Sequence, residues 1–149
     1  MPGRVVEAVH AFLELTCERS AVSNDELYRA LDTLVEAYHH APPCEPSDRD
    51  DEPPRENGDT LRQRLRRRFP DLGYYNMGNR SEPLEQSKLV GDAFNDLADI
   101  VRDLNEIKWR ASNLGEDDAI WWFRWSFERH WGLHLRNLSL YLHETIYYG

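Results

Sequence analysis

Two cysteines in 149 residues, Cys17 and Cys44, leave no framework for disulfides and no paired-cysteine zinc knuckle. The first falls in an expected helix and the second among prolines, so a reducing compartment is the default. No apolar run approaches the ~18–20 residues of a membrane-spanning helix. The opening Met1-Pro2-Gly3-Arg4-Val5-Val6-Glu7 has no leader-like apolar core. The expectation is a cytoplasmic protein with no membrane partner. Basic residues are in deficit as well: 18 Lys and Arg stand against 27 Asp and Glu, a net charge of −9, which argues against the cationic footprint that a nucleic-acid binder needs. No glycine spacing matches a phosphate loop or a dinucleotide fingerprint, and neither Ser126 nor Ser139 sits in a nucleophile elbow.

What the chain has in quantity is helical periodicity. Val5, Val6, Val9, Phe12, Leu13 and Thr16 keep the three- and four-residue spacing of a buried stripe, which predicts a helix from about Gly3 to Ser20. Ser23 followed by Glu26 is a capping box that opens a second helix carrying Leu27, Leu31, Leu34 and Tyr38 on one face. The link between them is short, so the two helices are expected as antiparallel neighbours. Residues 41–59 break the pattern with Pro42, Pro43, Pro46, Pro53 and Pro54, and read as a flexible acidic surface loop inside one domain of residues 1–149. Thr60–Phe69 reads as a short helix. Residues 71–83 read as an ordered loop whose tyrosines pack inward. A long helix follows over Glu85–Leu114, with Val90, Phe94, Leu97, Ile100, Val101, Leu104 and Ile107 on its apolar face. Gly115 ends that helix, and acids at 116–118 start the next. The expected fold is all-α: an antiparallel bundle of four long helices plus one short helix, with the long proline-rich loop.

The final stretch, Asp117–Tyr148, holds four of the five tryptophans, so it is expected to be the central helix of the core. At 100° per residue, His130 and His134 fall on the same stripe as Phe123, Phe127 and Leu138. Two imidazoles in a core need polar partners, since an unpaired buried group costs about 1–3 kcal/mol. Arg124 and Glu128 are the candidates on the same helix. On the preceding helix the acids Asp92, Asp96, Asp99, Asp103 and Glu106 form a stripe that the wheel sets mostly opposite the apolar face. Asp96 and Asp103 are the ones near its edge. Asp96, Asp99, Asp103, Arg124, Glu128, His130 and His134 are thus the candidate polar network. Histidines four residues apart also suit a shared divalent metal, which makes a metal-dependent or acid–base enzyme the alternative, with its site between helices 85–114 and 117–148.

Two further sets stand out. Arg62, Arg66 and Arg67 lie on the short helix among five arginines, and read either as a solvated face paired with the chain's acids or as an anion site. Trp109, Trp121 and Trp125 fall off the core stripe and are candidates for an interaction surface.

Several local patterns occur together. They are Arg68-Phe69-Pro70, Gly73-Tyr74-Tyr75, Asp96-Leu97-Ala98-Asp99-Ile100 with Arg102-Asp103-Leu104, and Trp122-x-Arg124-Trp125-Ser126-Phe127-Glu128-x-His130-Trp131-Gly132-x-His134. In these the chain resembles a bacterial family known as domain of unknown function 5063. The resemblance covers about the last 80 residues by motif, implies a small, mostly helical bacterial protein, and brings no accepted activity. The preferred expectation is an interaction or structural module without catalytic residues or cofactor, working through a protein partner or self-association.

Overall fold

A computed structural model of the chain describes residues 3–54, 57–77 and 89–149. Its helices are α1 (Arg4–Cys17), α2 (Asn24–His40), α3 (Gly58–Arg68), α4 (Ala93–Asn113), α5 (Glu116–Ser126) and α6 (Gly132–Tyr148). A π-helical turn, Phe127–Trp131, joins the last two, and two short strands, β1 (Tyr74–Asn76) and β2 (Val90–Asp92), pair antiparallel. The all-α bundle expected from the sequence is what forms.

The cross-links give the directions. Arg4 at the start of α1 pairs with Glu36 late in α2. Tyr28 and Tyr38 of α2 reach His143 and Glu128, and Asp96 and Asp103 of α4 reach His134 and His130. Each of these pairs of elements is therefore antiparallel. One continuous core runs through the bundle, with Phe12, Leu31, Leu65, Leu97, Leu104, Phe123, Trp131 and Leu138 all buried. Trp131 is fully enclosed, its ring edge-on to Phe123 and Phe127 and its indole N–H donated to Ser126 Oγ at 2.9 Å. Among the described residues no helix is long and apolar enough to cross a membrane.

The ends of the elements follow from local chemistry. The Ser23–Glu26 box caps α2 in both directions. Asn57 caps α3 through Asp59 and Thr60. Gly115, at φ 106°, supplies the left-handed turn between α4 and α5. The expected helix over 85–114 starts later, at Ala93. Asp92 accepts the amides of Phe94 and Asn95 and so becomes the cap, while Val90–Asp92 is drawn into pairing with β1. Residues 78–88, where the expected loop ends and the expected helix began, lie outside the described residues. Residues 41–54 of the proline-rich segment form neither helix nor strand, and its last two residues open α3. It is tied to the bundle where Ser47 N–H donates to Asp118, Arg49 to the Asn113 carbonyl, and Arg124 to the Ala41 carbonyl.

The single helix expected over 117–148 is interrupted. At the π turn the Gly132 N–H reaches back five residues to the Phe127 carbonyl. That inserts one residue into the helical count and rotates everything after it.

Candidate metal centre

On a helix wheel Asp96 and Asp103 stand next to Ile107 and Ile100, at the edge of the α4 core stripe. The expectation that the acidic stripe turns mostly away from the core is corrected at these residues. α4 is enclosed on several sides by α1, α3, α5 and α6, so its buried arc is wide and takes in Asp96, which is only 4% exposed. Asp99 and Asp103 are half-buried beside it.

The histidines move the other way. The uniform wheel puts them inside the apolar stripe. The extra residue of the π turn instead gives the buried positions to Phe127, Trp131, Leu135 and Leu138, and brings His130 and His134 to the rim facing α4. Their side chains are 42% and 29% exposed, so the cluster is reached from the surface. Their rings lie 5.0 Å apart and nearly perpendicular.

Each imidazole is oriented by a carboxylate of α4. His130 Nδ1 lies 2.5 Å from Asp103 Oδ2, and His134 Nδ1 lies 2.7 Å from Asp96 Oδ1. Asp96 is fixed in turn by the Tyr75 hydroxyl, which donates to its other oxygen at 2.5 Å. The Tyr75 ring packs closely against Gly91 of the paired strand, where a Cβ would come within 2.2 Å of it. The third acid, Asp99, places Oδ2 3.3 Å from His134 Nε2 and accepts from Arg102 Nη2 at 2.9 Å through Oδ1.

The electrostatics follow from this packing. Burial pushes the Asp103 carboxyl above its usual range, and the His130 contact only partly offsets it. The hydrogen bond to Asp96 raises the His134 imidazolium pKa above the usual 6.5, helped by the charges of Asp99 and Asp103 and opposed by burial.

One ligand atom from each of Asp99, His130 and His134 lies within 4.8 Å of the others, close enough to share an ion. A neutral imidazole that donates through Nδ1 carries its lone pair on Nε2. Carboxylate–histidine–metal units are built in this way.

The other expected members of the network lie elsewhere. Arg124 donates to the Ala41 carbonyl at 2.8 Å, and Glu128 accepts from the Tyr38 hydroxyl at 2.7 Å, both towards α2 and its exit. Among the described residues neither forms a hydrogen bond or ion pair with the histidines; α2 and its exit supply partners within reach. Arg62 and Arg66 lie over the Phe94 ring, at 5.0 and 3.8 Å, and Arg67 is exposed. Among the described residues none of the three forms an ion pair. Trp121, Trp122 and Trp125 form a stack on α5, with Trp125 the most open at 37% and Arg129 over its ring. Trp109 is half-buried on α4.

A family description matches residues 3–148, that of a domain of unknown function, DUF5063. The chain belongs to this family. The match extends the resemblance seen in the C-terminal motifs over nearly the whole chain. Among curated proteins none matches it. The DUF5063 chain shares its fold with a crystal structure of protein BF1032 from Bacteroides fragilis, at a TM-score of 0.74 and 19% identity, over 97% of this chain and 90% of that one.

Sequence reasoning did not single out Tyr75, Arg102, Gly91 or Gly132 as parts of this site. The signal for Tyr75, Arg102 and Gly132 was their presence in the family motifs. Nothing local pointed to Gly91.

Proposed function

We propose that this DUF5063 protein binds a divalent transition-metal ion through Asp99, His130 and His134, in the bacterial cytoplasm. The observation that carries the reading is the convergence of Asp99, His130 and His134, with both imidazoles oriented by carboxylates. Each imidazole has its Nδ1 held by a carboxylate, His134 turns Nε2 towards Asp99 Oδ2, and one ligand atom of His130 lies within 4.8 Å of theirs. Two imidazoles and one carboxylate suit zinc, cobalt, manganese or ferrous iron. Three protein ligands leave further positions for water or substrate. A bound ion there supplies Lewis acidity and an activated water. Asp96, Asp103 and Tyr75 orient the ligands. The free thiols of Cys17 and Cys44 fit a reducing compartment.

The test is metal content by elemental mass spectrometry, with cobalt titration followed in the visible spectrum. The expected result is one ion per chain and a cobalt ligand-field band, both lost in His134→Ala. No band and no retained zinc, manganese or iron after loading at neutral pH would overturn the reading.

A second reading keeps the interaction module. The Trp121–Trp122–Trp125 stack, with Trp125 outermost, supports a contact surface for a protein partner or a second copy. Sedimentation of the wild type and of Trp125→Ala decides the self-association form. A monomer in both removes it.

A further inference from the structure

Beside the histidine cluster, on the next face of α4, lies a groove of about 750 Å3. It runs between Pro53 and Pro54 of the proline-rich segment, the start of α3, α4 and Trp122 of α5. Its size falls within the roughly 300–1,000 Å3 of small-molecule sites. Two features define what fits it. Trp109 lines it with a ring that stacks on no other aromatic among the described residues, whereas the faces of Trp122 are taken by Arg110 at 4.2 Å and by Trp125 at 5.0 Å. Among the described residues of its walls, Arg110 is held by Glu106 at 3.2 Å and Asp118 at 3.0 Å, and Arg102 is bound through Nη2 to Asp99 at 2.9 Å. Lys108, exposed, is the lining cation with no ion pair among the described residues.

We propose that this groove binds a small planar organic anion, its flat body on Trp109 and its charged end at Arg102 and Lys108. Arg102 ties the two sites together, since its Nη2 lies 2.9 Å from Asp99 Oδ1. A ligand seated there has its charge one side chain away from the metal ligands. Only that adjacency rests on the metal reading; the groove stands on its own lining.

The experiment is an NMR titration of the full chain with 2-naphthoate. The five indole N–H signals are assigned from single Trp→Phe variants and the titration is run in chelator. The Trp109 and Trp122 signals are expected to shift saturably, with a Kd of about 1 mM or tighter, and 2-naphthylmethylammonium to bind at least about tenfold more weakly. Lys108→Gln and Arg102→Gln, both at exposed positions, should each weaken 2-naphthoate by about threefold or more. No saturation, equal binding of the cation, or shifts confined to Trp121 and Trp125 would overturn the proposal. So would unchanged affinity in both charge variants. Because chelator is present throughout, failure of the metal site leaves this titration unaltered, and failure of the groove leaves the cobalt spectrum unaltered.

Discussion

His134 Nδ1 lies 2.7 Å from Asp96 Oδ1, a carboxylate with almost no contact with solvent. The pairing raises the His134 pKa above 6.5. A group whose folded pKa exceeds its unfolded one stabilises the fold fully below the unfolded value and loses that contribution as pH rises through the folded one. In chelator, urea stability should therefore decline as pH rises from about 6.5 through the raised His134 value. His134→Gln should flatten that decline. Asp103, raised from 3.8 mainly by burial, contributes the same sign in a lower window and is not removed by this variant. An unchanged profile in His134→Gln would disprove the assignment. Metal uptake near neutrality should release protons, because the ion competes for His134 Nε2.

Gly132 is the one residue type that closes the π turn. A Cβ there would stand 2.2 Å from the Phe127 carbonyl oxygen. Replacing a mid-helix glycine with alanine ordinarily stabilises by up to about 1 kcal/mol. Here the sign should reverse: Gly132→Ala is expected to cost about 1–3 kcal/mol in urea unfolding and to weaken cobalt binding, because the two histidines lose their common register. A variant as stable as the wild type would refute this account of the turn.

If Asp99, His130 and His134 hold an ion, Tyr75 acts on it through its hydrogen bond to Asp96. Tyr75→Phe should lower metal affinity by about tenfold, in the range seen for residues that orient ligands. The associated stability loss is about 1 kcal/mol. Titration calorimetry and urea unfolding measure the two separately. A large stability loss with unchanged affinity would make Tyr75 a purely structural residue.

Asp118 is buried at the start of α5. It accepts the Ser47 amide at 2.8 Å and Arg110 Nη1 at 3.0 Å. Asp118→Ala leaves Arg110 with Glu106 as its ion-pair partner and removes one of the ties on the proline-rich segment, that to Ser47. The expected cost is about 2–4 kcal/mol, with new protease cleavage within residues 45–52. Cleavage no faster than in the wild type would show that other contacts hold the segment.

The sequence was most legible where structure is local. The stripes of α1 and α2 and the Ser23–Glu26 cap depend on neighbours within one turn, and they formed as expected. The start of α4 depends on Asp92 and on the pairing of Gly91 with Tyr75 across an intervening stretch, which no window of periodicity contains. The cluster was legible as a set of residue types: Asp96, Asp99, Asp103, His130 and His134 do meet. Its geometry was not, because a constant 100° step cannot register a π turn. That turn is why the histidines sit at the rim and not in the core. Arg124 and Glu128 were grouped with them by helical proximity, yet α2 holds both.

A π turn is an α-helix with one residue too many, and this has a consequence for how the gene can vary. Losing a codon between Phe127 and Trp131 would restore an unbroken helix and keep every side chain downstream. Leu135, Leu138 and Leu142 would then keep the positions they now bury, because the unbroken helix counts one residue fewer, whereas the residues inside the turn, His130 among them, would shift. The extra residue therefore serves the histidines and not the leucines: its loss should spare the fold and cost the site.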